Sequence, residues 1–150
     1  MFITKFKNRL RDCCCHRWFS HLAKSERFDL YNCFKNILER ERYLEVIQGR
    51  VYKTALARFR VGVSCINGHR LRFSAAENQR LCPFCVDTIE DECHMLFVCL
   101  LRDKFLLPLY SGLPEKERYC RLCSDSDDTT ALNMSRFIFF SLQLRESLIE

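Results

Sequence analysis

The segment from Arg80 to Cys99 carries the residue types best suited to chemistry. It reads RLCPFCVDTIEDECHMLFVC and places Cys82 and Cys85 three positions apart, followed by His94 and Cys99. The pattern C-x2-C-x8-H-x4-C lets two thiolates of one tight turn meet a second pair of ligands on or just past a helix. Zn2+ accepts a tetrahedral set of three sulfurs and one imidazole nitrogen. The spacing therefore predicts a Zn2+ site formed by these four side chains.

Four protein ligands fill the tetrahedral coordination of zinc and leave no position for water or substrate. We therefore expect a metal that stabilises the fold, without catalysis at the metal. Two other interpretations of the cysteine pair are chance, in a chain with eleven cysteines, and a thioredoxin-like redox pair. The redox pair fits less well, because it needs a preceding strand and a long following helix, whereas an acidic turn follows Cys85.

The remaining cysteines offer rival ligands. Cys93 adjoins His94, but it points to another face of a helix, and we expect it to pack in the core. Cys120 and Cys123 form a second C-x2-C pair with no paired ligand after them. A second metal site there would need remote ligands from the Cys13–His16 run or from His21, and whether this pair binds metal stays open.

The use of cysteine and the absence of long apolar runs favour an intracellular protein. Three cysteines in succession, Cys13 to Cys15, and an odd total do not suit a disulfide framework. The first residues lack an apolar signal-peptide core. The longest apolar run, Met95 to Leu101, is far shorter than the roughly 18 residues that cross a membrane. We expect a nuclear or cytoplasmic location and no membrane partner.

Charge is distributed unevenly along the chain. Residues 1–80 hold seventeen Lys and Arg against seven Asp and Glu, whereas residues 81–150 hold seven against twelve. A basic half favours a polyanionic partner, because released counterions drive association with phosphates. We therefore expect RNA or DNA as the partner, although basic residues also serve to solvate helix faces. The candidate phosphate contacts are Arg50, Lys53, Arg58, Arg60, Arg70, Arg72 and Arg80. Phe59 and Phe73 are candidates for stacking on bases, and we expect Phe59 to be a core residue instead.

The elements that position these residues are predicted to be mainly α-helical. Apolar spacing predicts helices over residues 4–22, 28–47, 50–61 and 131–148, and a short helix from Glu90. Phe6, Leu10, Trp18 and Leu22 are expected to share one face of the first helix. Residues 62–79 read as a loop or short hairpin, the region around Pro108, Gly112 and Pro114 as turns, and residues 124–130 as an acidic loop.

The fold class follows from this arrangement. We expect a small, mainly α domain with a zinc-stabilised turn or short hairpin and helix. Three segments are expected to pack together as one domain: a basic helical region over 1–62, a zinc-binding module over 63–110, and an acidic loop with a C-terminal helix over 111–150.

Several stretches resemble a known protein family. LARFRVG at residues 56–62, RLCPFC at 80–85 and IEDECHMLFVC at 89–99 occur in that order, and LYNCFKNILERERYLEVI lies upstream. This series is similar to the zinc-binding region that follows the polymerase in reverse-transcriptase polyproteins of animal non-LTR retrotransposons. The resemblance covers roughly residues 28–110 and implies the same four zinc ligands. Cys93 stands where the family usually has an aromatic residue, and Leu100 where it often has proline.

Catalytic motifs of the parent family are absent from the sequence. Polymerase chemistry needs carboxylates that hold two metals, usually in an aromatic-x-Asp-Asp motif, but Asp127 and Asp128 follow Ser126. We therefore expect no enzyme activity and predict a zinc-binding, nucleic-acid-binding module derived from a reverse-transcriptase C-terminus. The alternative is a structural or protein-interaction remnant without nucleic-acid affinity. The sequence defines neither the type of nucleic acid nor an oligomeric state.

Overall fold

Helices make up most of the structure, which is a computed structural model describing residues 2–25, 28–71, 76–99, 112–124 and 127–149. In chain order the helices are α1 (Phe2–Ala23), α2 (Asp29–Phe34), α3 (Tyr43–Val46), α4 (Arg50–Arg60), α5 (Asn67–Arg70), α6 (Glu92–Phe97), α7 (Glu115–Ser124) and α8 (Asp128–Ile149). A 3-10 turn, Glu77–Arg80, lies between α5 and α6. Across the described ranges, β pairing is limited to one isolated bridge. The predicted mainly α class is confirmed.

Helices α4 and α8 pack against each other at the centre of the fold. Helix α4 buries Leu56 and Phe59, and α8 buries Met134 and Ile138 at the spacing of a helical face. Helix α3 packs on α8, while α2 and α6 pack on α7. The buried core thus combines residues from each of the three sequence segments. Phe59 has no exposed surface, which confirms it as a core residue.

The single helix predicted over residues 28–47 is wrong. The chain forms α2 and α3 instead, and residues 35–42 between them are not helical. The guanidinium carbon of Arg60 lies 4.5 Å from the centre of the Phe34 ring and 5.0 Å from that of Tyr43. On one continuous helix those two residues would be about 13.5 Å apart along the axis. The chain therefore bends so that both rings pack against one buried arginine.

Helix α1 is confirmed, but its predicted face is not. Leu22 is buried and Trp18 is half-buried, whereas Phe6 and Leu10 are 56% and 50% exposed. At 100° per residue, Phe6 and Leu10 lie on a different side of the helix from Trp18 and Leu22. Helix α1 therefore has a packed apolar side near its C-terminal end and an exposed apolar side near its N-terminal end.

Two further helix boundaries differ from prediction. Helix α7 lies between the turns predicted around Pro114 and the predicted acidic loop, in a stretch for which no element was predicted, and α8 begins inside that loop. Asp127 explains the start of α8, because its Oδ1 atom accepts a hydrogen bond from the Thr130 amide at 2.7 Å. Helix α4 ends as predicted, and Gly62 follows it with a φ of 66°. The turn predicted around Pro108 lies outside the described residues.

Candidate metal centre

A tight turn positions the first pair of cysteines. Leu81 and Ile89 form an isolated antiparallel bridge that closes this turn. The Cys82 amide donates to the Thr88 carbonyl at 2.8 Å, and the Val86 amide donates to the Cys82 carbonyl at 2.9 Å. These bonds close a short turn between Leu81 and Ile89, so both cysteine side chains project from one turn.

The turn also directs backbone amides at a sulfur. Burial raises the pKa of the Cys82 thiol overall, while the neighbouring amides of Phe84 and Cys85 act in the opposite direction and favour its ionised form. Val86 follows with a φ of 68°, the left-handed region that a β-branched residue rarely adopts. The backbone is therefore strained at the residue directly after the second cysteine.

Helix α6 positions the second pair of ligands. Asp91 caps its N-terminus, because the Asp91 carboxylate accepts the His94 amide at 2.7 Å. At the other end, the carbonyl oxygen of His94 accepts the amides of Val98 at 2.9 Å and Cys99 at 2.8 Å. The chain therefore folds back after one and a half turns and brings Cys99 beside the imidazole of His94.

The four predicted ligands converge. One ligand atom from each of Cys82, Cys85, His94 and Cys99 lies within 4.8 Å of all the others. The Cys99 sulfur is 3.7 Å from that of Cys82 and 4.0 Å from that of Cys85. Sulfurs that share a tetrahedral zinc with bonds of about 2.3 Å lie about 3.8 Å apart. The cluster therefore has the composition and size of a site that could hold a metal ion.

His94 gives a second sign of a metal ligand. Its side chain is almost fully buried, at 2% exposure. Within the described part of the chain, neither Nδ1 nor Nε2 has a hydrogen-bond partner. A buried imidazole without partners is costly, and a metal ion bound at one nitrogen would remove much of that cost.

The other cysteines lie apart from this cluster. Cys93 is 8% exposed and belongs to the hydrophobic core, as expected. Burial raises the pKa of the Cys123 thiol to about 12. Burial, and to a lesser degree the neighbouring Cys33 thiol, raise the pKa of the Cys120 thiol to about 12. Among the described residues, neither Cys120 nor Cys123 joins a metal-ligand cluster.

Glu90, the first residue of the acidic run, anchors the turn to α8. Its carboxylate forms a two-pronged ion pair with Arg145, whose Nη2 atom lies 2.7 Å from Oε2. The same Oε2 atom accepts the Asn67 amide at 2.6 Å, and Arg145 also donates to the Asn67 side chain at 3.0 Å. Gly68 lies so close that a Cβ atom there would be 2.4 Å from the Glu90 carbonyl oxygen.

The role of Arg145 was missed from the sequence, although a signal exists. Arg145 lies on the same face of α8 as the buried residues Ala131, Met134 and Ile138, and it is 5% exposed. An arginine on an apolar helical face predicts a buried carboxylate partner.

Glu92, the last residue of the acidic run, anchors α6 to the segment after α4. Its Oε1 atom lies 2.7 Å from Nε2 of His69, and both side chains are buried. The Ser64 amide donates to Nδ1 of His69 at 3.1 Å, so Nδ1 acts as an acceptor and Nε2 carries the proton of the neutral ring. His69 therefore joins the Ser64 turn to α6, and this is its role in the fold.

The six described members of the seven basic residues predicted to contact phosphates differ in their exposure. Arg60 is 7% exposed, lies 3.2 Å from Glu41 and packs on aromatic rings. Its charge is satisfied inside the protein, so we omit it from the candidate surface. Lys53 and Arg80 are half-buried. Arg72, like Phe73, lies outside the described residues.

Three of the predicted residues do come together. Arg50, Arg58 and Arg70 are exposed and line one groove of about 710 Å³ between α4, α8 and the turn at Ser64. Phe139 also lines the groove, and sequence analysis did not identify it. Phe139 lies one helical turn before the polar residue Gln143, which also lines the groove. This spacing could have placed Phe139 at the edge of the exposed side of α8.

Comparisons with known proteins identified no relative of this chain. No family model, no curated protein and no solved structure matches this chain. Among the helices of the described residues, none combines the length and apolar character needed to cross a membrane.

Proposed function

We propose that this chain is a non-catalytic module that binds one structural Zn2+ ion and binds RNA or DNA through its basic surface. The convergence of Cys82, Cys85, His94 and Cys99 within 4.8 Å carries the metal part of this proposal. Three thiolates and one imidazole favour Zn2+, whereas Mg2+ and Ca2+ prefer oxygen ligands. We also propose descent from a retrotransposon reverse-transcriptase C-terminus, supported by the order of the sequence motifs.

The metal would act on the structure. Cys82, His94 and Cys99 are buried, and the four side chains fill a tetrahedral coordination sphere. Such an ion would hold the cysteine turn against α6 and supply free energy to a segment with little β pairing. An assay that detected primer extension by the purified protein would refute the non-catalytic assignment.

Elemental analysis tests the metal. Protein purified without chelators should contain one zinc per chain, and Co2+ substitution should give the intense visible absorption of a tetrahedral thiolate site. A Cys85→Ser variant should lose zinc, whereas Cys93→Ser should keep it, because Cys93 lies outside the cluster. Protein that contains no zinc, or a Cys85→Ser variant that melts like the wild type, would refute the assignment.

Salt dependence tests nucleic-acid binding. The basic residues of α4 and Arg70 support this part of the proposal, because arginine pairs with phosphate oxygens and stacks on bases. Binding of single-stranded RNA should weaken steeply as the salt concentration rises. Absence of binding at low salt, or binding that ignores salt, would contradict it.

One observation favours a second candidate, a protein-interaction role. Ile3, Phe6 and Leu10 are 68%, 56% and 50% exposed on one side of α1, and contiguous exposed apolar surface often marks an interface. This candidate predicts a zinc-dependent fold without nucleic-acid affinity. Light scattering of the wild type and of a Phe6→Ser, Leu10→Ser variant would show whether this side of α1 mediates association.

A further inference from the structure

The groove between α4 and α8 combines three arginines with an apolar wall. Arg50 and Arg58 lie on one side of α4, two turns apart, and Arg70 at the end of α5 also lines the groove. Eight residues of helix span about 12 Å, which exceeds the advance of about 3.4 Å per nucleotide of a stacked strand. A row of this length can therefore contact more than one phosphate of the same strand.

The charges of the three groove arginines are available to a ligand. Within the described ranges, no carboxylate forms an ion pair with Arg50, Arg58 or Arg70. Glu146 is the acidic residue in the lining, where Cys65 also lies. The groove is thus basic, with three guanidinium groups against one carboxylate.

The opposite wall is aromatic and aliphatic. Phe139 and Leu142 of α8 line it. The Phe139 ring is half-buried and packs edge-on against Tyr52, with ring centres 5.1 Å apart. Contact with Tyr52 fixes the ring, so that a planar base can pack on it without a further loss of side-chain freedom. A base fits this wall better than the charged side chains of an acidic peptide would.

We propose that this groove binds a short single-stranded nucleic acid, with phosphates on Arg50, Arg58 and Arg70 and a base against Phe139. This inference rests on the proposed nucleic-acid function and specifies where and in which form the strand binds. RNA and DNA share the phosphodiester and base chemistry that the groove recognises, so both are tested with strands of the same sequence.

Fluorescence anisotropy with labelled single strands tests the phosphate contacts. Arg58→Gln and Arg70→Gln should each reduce the slope of log affinity against log salt by about 0.7, because each arginine neutralises one phosphate of a single strand. Arg136→Gln is the matched control, since Arg136 is exposed on α8 but does not line the groove. Its slope should equal that of the wild type.

A pair of neighbouring phenylalanines tests the base contact. Phe139→Leu should weaken binding about tenfold, the size expected for one lost base–aromatic contact. Phe140→Leu should have little effect, because Phe140 also contacts Tyr52 but lies outside the groove lining. Melting temperatures of the two variants show whether either change acts through stability.

The outcomes separate the two proposals. Salt-sensitive binding by the wild type that the groove variants leave unchanged would overturn the groove and leave the proposed function standing. No binding by the wild type at low salt would overturn both. Competition by a polyglutamate peptide at the same concentration as the nucleic acid would also overturn the groove assignment, since it would show a general site for acidic chains.

Discussion

Removal of the metal should destabilise the protein to a degree that His94 allows us to estimate. His94 is 2% exposed, and both of its ring nitrogens lack protein partners among the described residues. Each unpaired buried polar group costs about 1–3 kcal/mol, and a bound ion would pair one of the two nitrogens, so its removal costs about 1–3 kcal/mol at this ring. In a chain of this size 1 kcal/mol changes the melting temperature by about 2–4 °C. We therefore expect the loss of this contact in a strong chelator to lower the melting temperature by roughly 2–12 °C.

A substitution at His94 tests this estimate. The difference in melting temperature between the variant and the wild type should change sign when a chelator is added. His94→Leu removes a ligand and both unpaired nitrogens together. In untreated samples the variant should melt below the wild type, because it loses the metal. In chelator it should melt at or above the wild type, because leucine carries no polar atom into the buried site. Differential scanning calorimetry of both proteins, with and without chelator, measures the four melting temperatures.

Cys93→Ala is the control for this experiment. Cys93 adjoins His94 and is buried, but it lies outside the ligand cluster. Its substitution should lower the melting temperature through lost packing while the zinc content and the response to chelator stay the same. A wild type that melts at the same temperature with and without chelator would refute the reasoning, as would a His94→Leu variant that stays below it by an equal margin in both conditions.

Three further predictions concern the scaffold. Gly68→Ala should destabilise the fold by about 2 kcal/mol or more, because its Cβ would lie 2.4 Å from the backbone oxygen of Glu90; chemical denaturation measures this. Val86→Gly should raise the free energy of unfolding by up to about 1 kcal/mol, because it relieves a φ of 68°. Burial raises the pKa of Tyr119 well above 10 and that of Cys123 to about 12. Both groups ionise more easily in the unfolded chain, so stability should be fully present below pH 9 and fall as pH rises towards 12, and Tyr119→Phe should reduce that loss in a pH series of melting curves.

A specific result would contradict each of these three predictions. Equal stability of Gly68→Ala and the wild type would mean that the chain can move away from Glu90 at no cost. A Val86→Gly variant that unfolds more easily would show that the flexibility of glycine outweighs the relieved strain. A Tyr119→Phe variant with an unchanged alkaline loss would assign the loss to other groups.

The ligands of the metal cluster could be predicted from the sequence because they are close together in the chain. Cys82 and Cys85 occupy one turn, and His94 and Cys99 are joined by one backbone hydrogen bond. Local geometry therefore determines most of the site. The long helices α1, α4 and α8 could be predicted for the same reason, since their apolar spacing or caps lie within each helix.

Features that depend on distant residues could not be predicted in this way. The break between α2 and α3 depends on Arg60, whose side chain packs against Phe34 and Tyr43. The different exposure of the basic residues likewise depends on which side of α4 faces the core. Arg60 faces Glu41 in the interior, while Arg58, two residues earlier, lines the groove. No local pattern separates these two arginines.

The three consecutive acids have a consequence for any attempt to use the cysteine loop by itself. Glu90 pairs with a residue 55 positions later in the chain, and Glu92 with His69 in the preceding segment. A peptide that spans residues 80–99 would contain all four metal ligands but neither of these partners. The loop therefore cannot be excised or grafted without cost, since two carboxylates would be left without the guanidinium, imidazole and amide partners that the rest of the chain supplies. The loop depends on a folded chain that supplies Asn67, His69 and, on α8, Arg145.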